Sequence, residues 1–190
     1  MGLKGGDALL IVDVQNDFCP GGALAVPEGD AVVPVLNRWI GEAEKIGVPV
    51  FASRDWHPAN HVSFKERGGP WPPHCVQGTM GAAFHPDLKL PRDTQIISKA
   101  TDPDADSYSA FGGTNLADLL RRAHIKNVWI GGLARDYCVR ATALDAIREG
   151  FKVHVITDAT RAVDVKAGDG DRSLDEIRRV GGILEETVRR

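Results

Sequence analysis

Short β-rich runs alternate with helical patterns along this whole sequence, and that alternation restricts the fold more than any other feature. Candidate strands lie at residues 8–13, 48–54, 94–98, 128–132 and 152–157, with a weaker one near Ile183. Candidate helices lie at 30–46, about 114–123 and about 136–149, and a capping box at Ser173–Glu176 predicts a last helix ending near Gly181. The pattern predicts an α/β fold, a doubly wound, mostly parallel sheet of about six strands with helices on both faces.

Length and composition favour a single domain over residues 1–190. The chain has 190 residues, of which 43% are hydrophobic and 26% charged, enough apolar material for a core that needs no metal or disulfide for support. Residues 56–92 interrupt the alternation and are rich in Pro, Gly and His. Because a loop of that length in a compact domain is usually functional, we expect a metal- and substrate-binding insertion there.

Charge and hydropathy exclude several classes of partner. Lys and Arg number 23 against 26 Asp and Glu, giving a net charge of -3 with no basic block, which argues against nucleic acid. The longest apolar run near the start, 8–12, is too short for a signal peptide or a membrane span, so we expect a cytoplasmic protein with no membrane association. Cys19, Cys75 and Cys138 form no CxxC pair, which favours reduced thiols.

Polar residues follow four of the candidate strands. Asp13 closes the first strand, Asp55 and Lys99 lie at the ends of the second and third, and Cys138 is in the segment after the fourth. In a doubly wound sheet, ligands bind beyond the carboxyl ends of the strands. These residues are therefore the candidates for chemistry.

Cys138 falls in the first turn of a predicted helix, where free backbone N–H groups and the helix dipole would favour a thiolate. A thiolate is a nucleophile for amide or ester carbonyls, and the same N–H groups can hold the oxyanion. The alternative is that Cys138 is a small core side chain, the commoner fate of a free cysteine.

Asp13 could carry protons if burial raises its pKa, or could simply shape a turn. Lys99 could hold both groups charged, or could be a surface lysine at a strand end.

A divalent metal site is suggested by Asp55 and His57, which leave the same face of an extended segment. His74 is the best candidate for a third ligand, ahead of His61 and His85. The alternative is a surface carboxylate with scattered loop histidines.

Three aromatic residues lie in loops at the same end of the sheet, where they could form a slot for a flat ring: Phe18, Trp71 and Tyr108. Each could equally be ordinary packing. The sequence has no GxGxxG fingerprint after a strand, no P-loop and no HExxH, which disfavours a dinucleotide enzyme, an NTPase and a zincin.

Four segments together resemble the nicotinamidases, within the isochorismatase-like cysteine hydrolases. They are residues 8–18 (ALLIVDVQNDF), 54–64 (RDWHPANHVSF), 71–75 (WPPHC) and 136–139 (DYCV). The first and last mark the superfamily, whereas the second and third mark the nicotinamidases within it. The resemblance covers nearly the whole chain.

The resemblance implies hydrolysis of nicotinamide, a small-molecule substrate, to nicotinic acid and ammonia through a cysteine thioester. It implies that Cys138 is the nucleophile, Asp13 the general base and acid, and Lys99 its cationic partner. It further implies that one divalent metal ion, bound by a ligand set of Asp55, His57 and His74, holds the pyridine nitrogen. The family uses zinc, iron or manganese; the sequence does not separate them, and zinc is our first expectation.

The same resemblance implies an aromatic slot of Phe18, Trp71 and Tyr108, and an oxyanion hole of the Ala134 and Cys138 N–H groups. It implies a cis peptide between Leu133 and Ala134. Arg135 departs from the family, where many relatives carry Thr. A homo-oligomer is possible on this sequence, and the role of His61 is open.

Three rival functions remain at this point. The chain could be another amidase or ureide hydrolase of the same superfamily, a metal hydrolase in which Cys138 is structural, or a non-catalytic binding protein that keeps the fold. The metal segment weighs against the first. Retention of all three triad positions weighs against the last.

Overall fold

The computed structural model describes residues 2–187 and contains the six-stranded sheet that the sequence predicts. The strands, all parallel, are β1 (Asp7–Val12), β2 (Val50–Asp55), β3 (Gln95–Lys99), β4 (Asn127–Leu133), β5 (Lys152–Arg161) and β6 (Ile183–Glu185). The helices are α1 (Val32–Ile46), α2 (Leu116–Arg122), α3 (Arg140–Arg148) and α4 (Asp169–Arg179). Strand order is β3-β2-β1-β4-β5-β6, so the doubly wound α/β prediction is confirmed.

The central strand β1 is buried on both faces, which explains its continuous apolar sequence. Leu9 and Ile11 pack into the core layer that contains α1, whereas Leu10 and Val12 pack into the layer with α2 and α3. Because side chains alternate across a strand, one short run supplies both layers. Shortening any of these side chains to Ala would cost about 2–5 kcal/mol of unfolding free energy.

The sequence of helix α1 explains which face of the helix packs on the sheet and where the helix ends. Its buried residues recur every three or four positions, which places them on one face against the sheet: Val32, Val33, Leu36, Trp39, Ile40 and Ala43. Gly47 ends the helix in the left-handed conformation at φ 70°, and its N–H bonds to the carbonyls of Ala43 and Glu44.

Two details differ from the sequence-based predictions. β5 continues to Arg161, four residues beyond its predicted end, through an irregularity in its pairing with β4. The capping box at Ser173 is wrong, since α4 already begins at Asp169 after Gly168, and the Ser173 hydroxyl donates to the Asp169 carbonyl inside the helix. The Asp169 carboxylate, which accepts from the Lys166 N–H at 2.9 Å, instead shapes the helix start.

The order of the strands creates a crevice between β1 and β4, where the chain switches from one side of the sheet to the other. The two strands approach closely there. A Cβ at Gly132, which has φ 130°, would lie 2.0 Å from the carbonyl oxygen of Val12, so only glycine fits. The long segment between β2 and β3 crosses above this end of the sheet and contains only one helical turn, Lys65–Arg67.

Within residues 2–187, no helix combines the length and apolar character needed to cross a membrane.

Candidate active site

The four strand-end residues meet at the crevice and are all buried. Asp55 and Lys99 are the last residues of β2 and β3, Asp13 directly follows β1, and Cys138 lies in the turn after β4. Carboxylate oxygens of Asp13 and Asp55 and the Cys138 sulfur lie within 4.8 Å of one another. The structure therefore brings the predicted triad together beside the predicted metal ligands.

Lys99 is the charged centre of this cluster. Its Nζ lies 3.1 Å from Asp13 Oδ2 and 3.5 Å from Cys138 Sγ, and it also donates to Asp55 Oδ1 and to the Ser107 carbonyl. Burial alone would lower the pKa of Lys99, but the nearby Asp13, Asp55 and Cys138 together raise that pKa well above its ordinary value. The surface-lysine alternative is excluded, since Lys99 is 1% exposed.

Asp13 is fully buried in an uncommon backbone conformation. Its backbone has φ 47°, a left-handed conformation that is uncommon for a residue other than glycine and that recurs at functional sites. The Ser53 hydroxyl donates to Oδ1 at 2.7 Å, whereas Oδ2 receives no hydrogen bond and faces Lys99. Burial raises the pKa of Asp13 although Lys99 and Ser53 oppose the shift. A raised carboxylate pKa suits a general base that must return its proton.

Cys138 is part of a π-helical turn, Arg135–Val139, that leads into α3. The expectation that the helix start would favour a thiolate is wrong for this chain. Burial raises the pKa of the Cys138 thiol well above its ordinary value, and the attraction of Lys99 does not overcome it. The thiol form is therefore favoured, and the sulfur would need a base to take its proton in order to act as a nucleophile. Cys19, Cys75 and Cys138 are all free thiols, as predicted.

The oxyanion candidates belong to the same turn. The peptide between Leu133 and Ala134 is cis, as the resemblance implied. The Ala134 carbonyl accepts from the N–H groups of Tyr137 at 3.1 Å and Val139 at 3.0 Å, which fixes the turn around Cys138.

Asp55, His57 and His74 place one ligand atom each within 4.8 Å of one another, in a buried group. His57 Nδ1 lies 3.3 Å from the Ala100 carbonyl, and His74 Nδ1 lies 2.8 Å from the Pro72 carbonyl. Nδ1–H donation to these carbonyls turns both Nε2 atoms toward Asp55 Oδ2, at 3.4 Å and 3.9 Å.

The protonation of this set suits a divalent cation. Burial alone would raise the pKa of Asp55, but Lys99 and His57 hold that pKa below its ordinary value, so the carboxylate is charged. Burial lowers the pKa of His74 and keeps the imidazole neutral. His57 Nε2 is buried without a hydrogen-bond partner, an arrangement that a metal ion would satisfy.

The other two histidines considered as ligands have different positions. His61 packs against the His57 ring at 4.2 Å, but its own nitrogens face the Ser63 hydroxyl and the Ala105 carbonyl, at 2.7 Å and 3.1 Å. His85 lies outside the Asp55, His57 and His74 group, and its Nδ1 accepts from the Asp87 N–H.

The three predicted aromatic residues line one pocket above Cys138, together with Asp55, His74 and Ala134. The empty space of the pocket, including the part open to solvent, is about 460 Å³. Trp71 donates its Nε1–H to the Tyr108 hydroxyl at 3.0 Å, and Phe18 packs against the His74 ring. The three aromatic side chains therefore share one pocket next to Cys138.

Sequence reasoning missed three residues of this site. Tyr137 packs edge-on against both Trp71 and Tyr108 and lines the same pocket. Buried Gln15 joins the Asp13 segment to β2, since its amide accepts from the Asp55 N–H and donates to the Asp55 carbonyl, both at 2.8 Å. Ser53 is the third missed residue. It is a polar residue in an apolar strand, and that contrast could have identified it from the sequence.

Comparison with known proteins identifies the family. The Isochorismatase domain model matches residues 7–187. The chain belongs to the isochorismatase family. A nicotinamidase from Escherichia coli strain K12 is 44% identical over 93% of both chains.

Two solved structures of this family share the fold. A pyrazinamidase of Pyrococcus horikoshii in complex with zinc superposes with a TM-score of 0.92 at 50% identity, over 96% of this chain and 99% of that one. The protein PnC1 from L. infantum, in complex with nicotinate, superposes with a TM-score of 0.87 at 40% identity, over 95% of this chain and 92% of that one.

Proposed function

We propose that this protein hydrolyses nicotinamide to nicotinic acid and ammonia through a thioester on Cys138. One observation carries the proposal: the Lys99 ammonium contacts Asp13 at 3.1 Å and Cys138 at 3.5 Å, at the floor of an aromatic pocket. That arrangement provides a nucleophile, a proton carrier and a fixed positive charge at one point. The E. coli nicotinamidase and the L. infantum nicotinate complex support the choice of substrate.

The substrate ring lies between Phe18, Trp71 and Tyr108, which favour a planar aromatic group. Asp55, His57 and His74 would hold one divalent metal ion, and that ion would supply an electrophilic position for the pyridine nitrogen. The zinc in the P. horikoshii pyrazinamidase complex supports a divalent metal here. Ring placement by aromatic walls brings the carboxamide carbon close to the Cys138 sulfur.

Asp13 accepts the thiol proton at a carboxylate oxygen, which lies within 4.8 Å of the Cys138 sulfur, as that sulfur attacks the carboxamide carbon. The backbone N–H groups of Ala134 and Cys138 stabilise the oxyanion that forms. Lys99 keeps the neighbouring carboxylates in the charged form and favours developing negative charge on sulfur.

The leaving nitrogen needs a proton, because an amide anion is too basic to depart. Asp13 donates the proton it has taken, the C–N bond breaks, and ammonia leaves a thioester on Cys138. Asp13 then accepts a proton from water as the water oxygen attacks the thioester carbon. The C–S bond breaks, the proton returns to sulfur, and nicotinic acid is released.

A substrate panel tests this function. The purified protein is offered nicotinamide, pyrazinamide, benzamide and a non-aromatic amide, and ammonia and the acid product are followed. Nicotinamide should be cleaved with the highest kcat/KM. Benzamide is the matched control, since it has the same shape but lacks the ring nitrogen, and its KM should be at least about 10-fold higher. Equal turnover of nicotinamide and benzamide would show that the ring nitrogen does not contribute to recognition. Preference for the non-aromatic amide would contradict the proposed substrate.

A further inference from the structure

The Arg135 side chain leads away from the substrate pocket and toward β5. The residue follows Ala134 and begins the π-helical turn that contains Cys138. Its Nε donates to the Thr160 hydroxyl at 2.9 Å, and its Nη2 donates to the carbonyls of Thr157 and Thr160 at 3.0 Å and 3.1 Å. Three hydrogen bonds therefore join the nucleophile turn to β5.

The part of β5 that receives these bonds is irregular. β4 pairs Ile130 with Val155 and Gly132 with Thr160, so residues 156–159 bulge opposite the single residue Gly131. The Thr160 hydroxyl also donates to the Thr157 carbonyl at 2.9 Å. Arg135 therefore binds a bulge that is also stabilised by a hydrogen bond within itself.

The Arg135 side chain passes close to α4. The residue is half-buried, and a Cβ placed on Gly170 of α4 would lie 3.4 Å from Arg135 Cδ. The next residue, Asp136, accepts from the N–H groups of Val163 at 3.0 Å and Asp164 at 2.8 Å. Arg135 and Asp136 therefore fasten the turn to β5 and to the residues directly after it.

We propose that Arg135 is a positioning residue for amide cleavage, whose guanidinium holds the Ala134–Cys138 backbone against β5 so that its N–H groups meet the oxyanion. This inference rests on the proposed function. Arg135 does not line the pocket, so it acts on the transition state through the backbone and leaves ground-state binding unchanged. A guanidinium suits the task because its rigid fork reaches two carbonyls and a hydroxyl at once.

The test compares Arg135→Met, which keeps the stem and loses the donors, with Arg161→Met. Arg161 is the matched control because its Nη1 donates to the carbonyls of Asp158 and Thr160 in the same bulge, within its own strand. In Arg135→Met, kcat for nicotinamide should fall about 10- to 100-fold with KM changed less than about two-fold. Arg161→Met should keep kcat within about two-fold of wild type.

An aldehyde probe reports on the oxyanion position directly. Pyridine-3-carbaldehyde adds to Cys138: the S–C bond forms, the C=O π bond opens, and the thiol proton passes to the new oxygen, which occupies the oxyanion position. Arg135→Met should weaken binding of the aldehyde by about the same factor as kcat/KM, and should leave the Kd of nicotinic acid within about two-fold. A residue needed only for general stability would weaken both ligands alike.

Two further variants keep the test decisive if Arg135→Met does not fold. Arg135→Lys keeps the charge but offers a single nitrogen, so its kcat should fall below that of wild type at unchanged KM. Thr160→Val removes one acceptor and should likewise lower kcat a few-fold at unchanged KM. Where Arg135→Met does fold, adding Thr160→Val to it should lower kcat little further.

The outcomes separate the two proposals. Wild-type kcat in Arg135→Met, equal losses in Arg135→Met and Arg161→Met, or equal weakening of aldehyde and nicotinic acid would overturn the role of Arg135 while the function stands. A wild-type protein that does not cleave nicotinamide would remove the proposed function, and the role of Arg135 with it.

Discussion

The ammonium nitrogen of Lys99 lies 3.5 Å from the sulfur of Cys138, and both side chains are buried. The same nitrogen contacts the carboxylates of Asp13 and Asp55. One cation therefore connects the proposed nucleophile, its base and the candidate metal ligands. Removing that positive charge leaves two buried carboxylates with no cation beside them to offset their negative charge.

Lys99→Met should lower kcat/KM for nicotinamide by at least about 10³-fold. The reason is that no cation then stabilises negative charge on the attacking sulfur or on the Asp13 carboxylate. The free energy of unfolding should fall by about 3–5 kcal/mol, the usual cost of breaking a buried ion pair. Steady-state kinetics and urea denaturation measure the two effects. Lys45→Met, at an exposed helical position, is the control and should change neither quantity appreciably. Near wild-type activity in Lys99→Met would exclude Lys99 from the chemistry.

His57→Ala should abolish stoichiometric metal binding, because the three candidate ligands lie within 4.8 Å of one another and two ligands do not retain a divalent ion firmly. Elemental analysis of the purified proteins gives the metal content. His85→Ala is the matched control, since His85 lies outside the group, and it should keep the wild-type metal content. Equal metal content in the two variants would place the ion elsewhere.

Ser53→Ala should move the acidic limb of the kcat/KM profile to higher pH. The Ser53 hydroxyl donates to Asp13 Oδ1 at 2.7 Å and lowers the pKa of Asp13, which burial otherwise raises. Asp13 must be deprotonated to accept the thiol proton. Losing the hydrogen bond from Ser53 raises the pKa of Asp13, so the enzyme stays inactive up to a higher pH. The pH dependence of kcat/KM measures this. Ser173→Ala in α4 should leave the limb in place, and a downward shift in Ser53→Ala would contradict Asp13 as the base.

Hydroxylamine added to the reaction should divert part of the product to nicotinohydroxamic acid, because a thioester reacts with this nucleophile far faster than an amide does. The ratio of hydroxamic acid to nicotinic acid, measured by chromatography, should rise linearly with hydroxylamine concentration. Total turnover should not fall below that without hydroxylamine. Nicotinic acid as the only product at every concentration would favour direct attack by water.

The sequence predicted the fold and the centre of the site because both depend on rules that act along the chain. Strand-end placement was enough to bring Asp13, Lys99 and Cys138 into one cluster, and the two-residue spacing placed Asp55 and His57 on one face. The wrong prediction of a Cys138 thiolate depends on burial. The Cys138 thiol pKa is raised because the folded protein excludes water from it, which no local pattern records.

Arg135 illustrates the same limit. Its place in the turn beside Cys138 was visible in the sequence, but its partners lie in a bulge of β5 that the apolar pattern did not predict. Tyr137 was also missed, because its contacts with Trp71 and Tyr108 come from two loops far from it in sequence. Such contacts follow from packing after the sheet has formed.

The most direct test of the account is the activity of Cys138→Ala, with Cys19→Ala as the matched control at a second buried thiol. Metal content is measured in both variants to show that the ligand set is intact. Cys138→Ala should lose nicotinamide turnover by at least about 10⁴-fold while retaining wild-type metal content, and Cys19→Ala should retain activity. Ammonia release by Cys138→Ala at a rate near that of wild type would show that the sulfur is not the nucleophile.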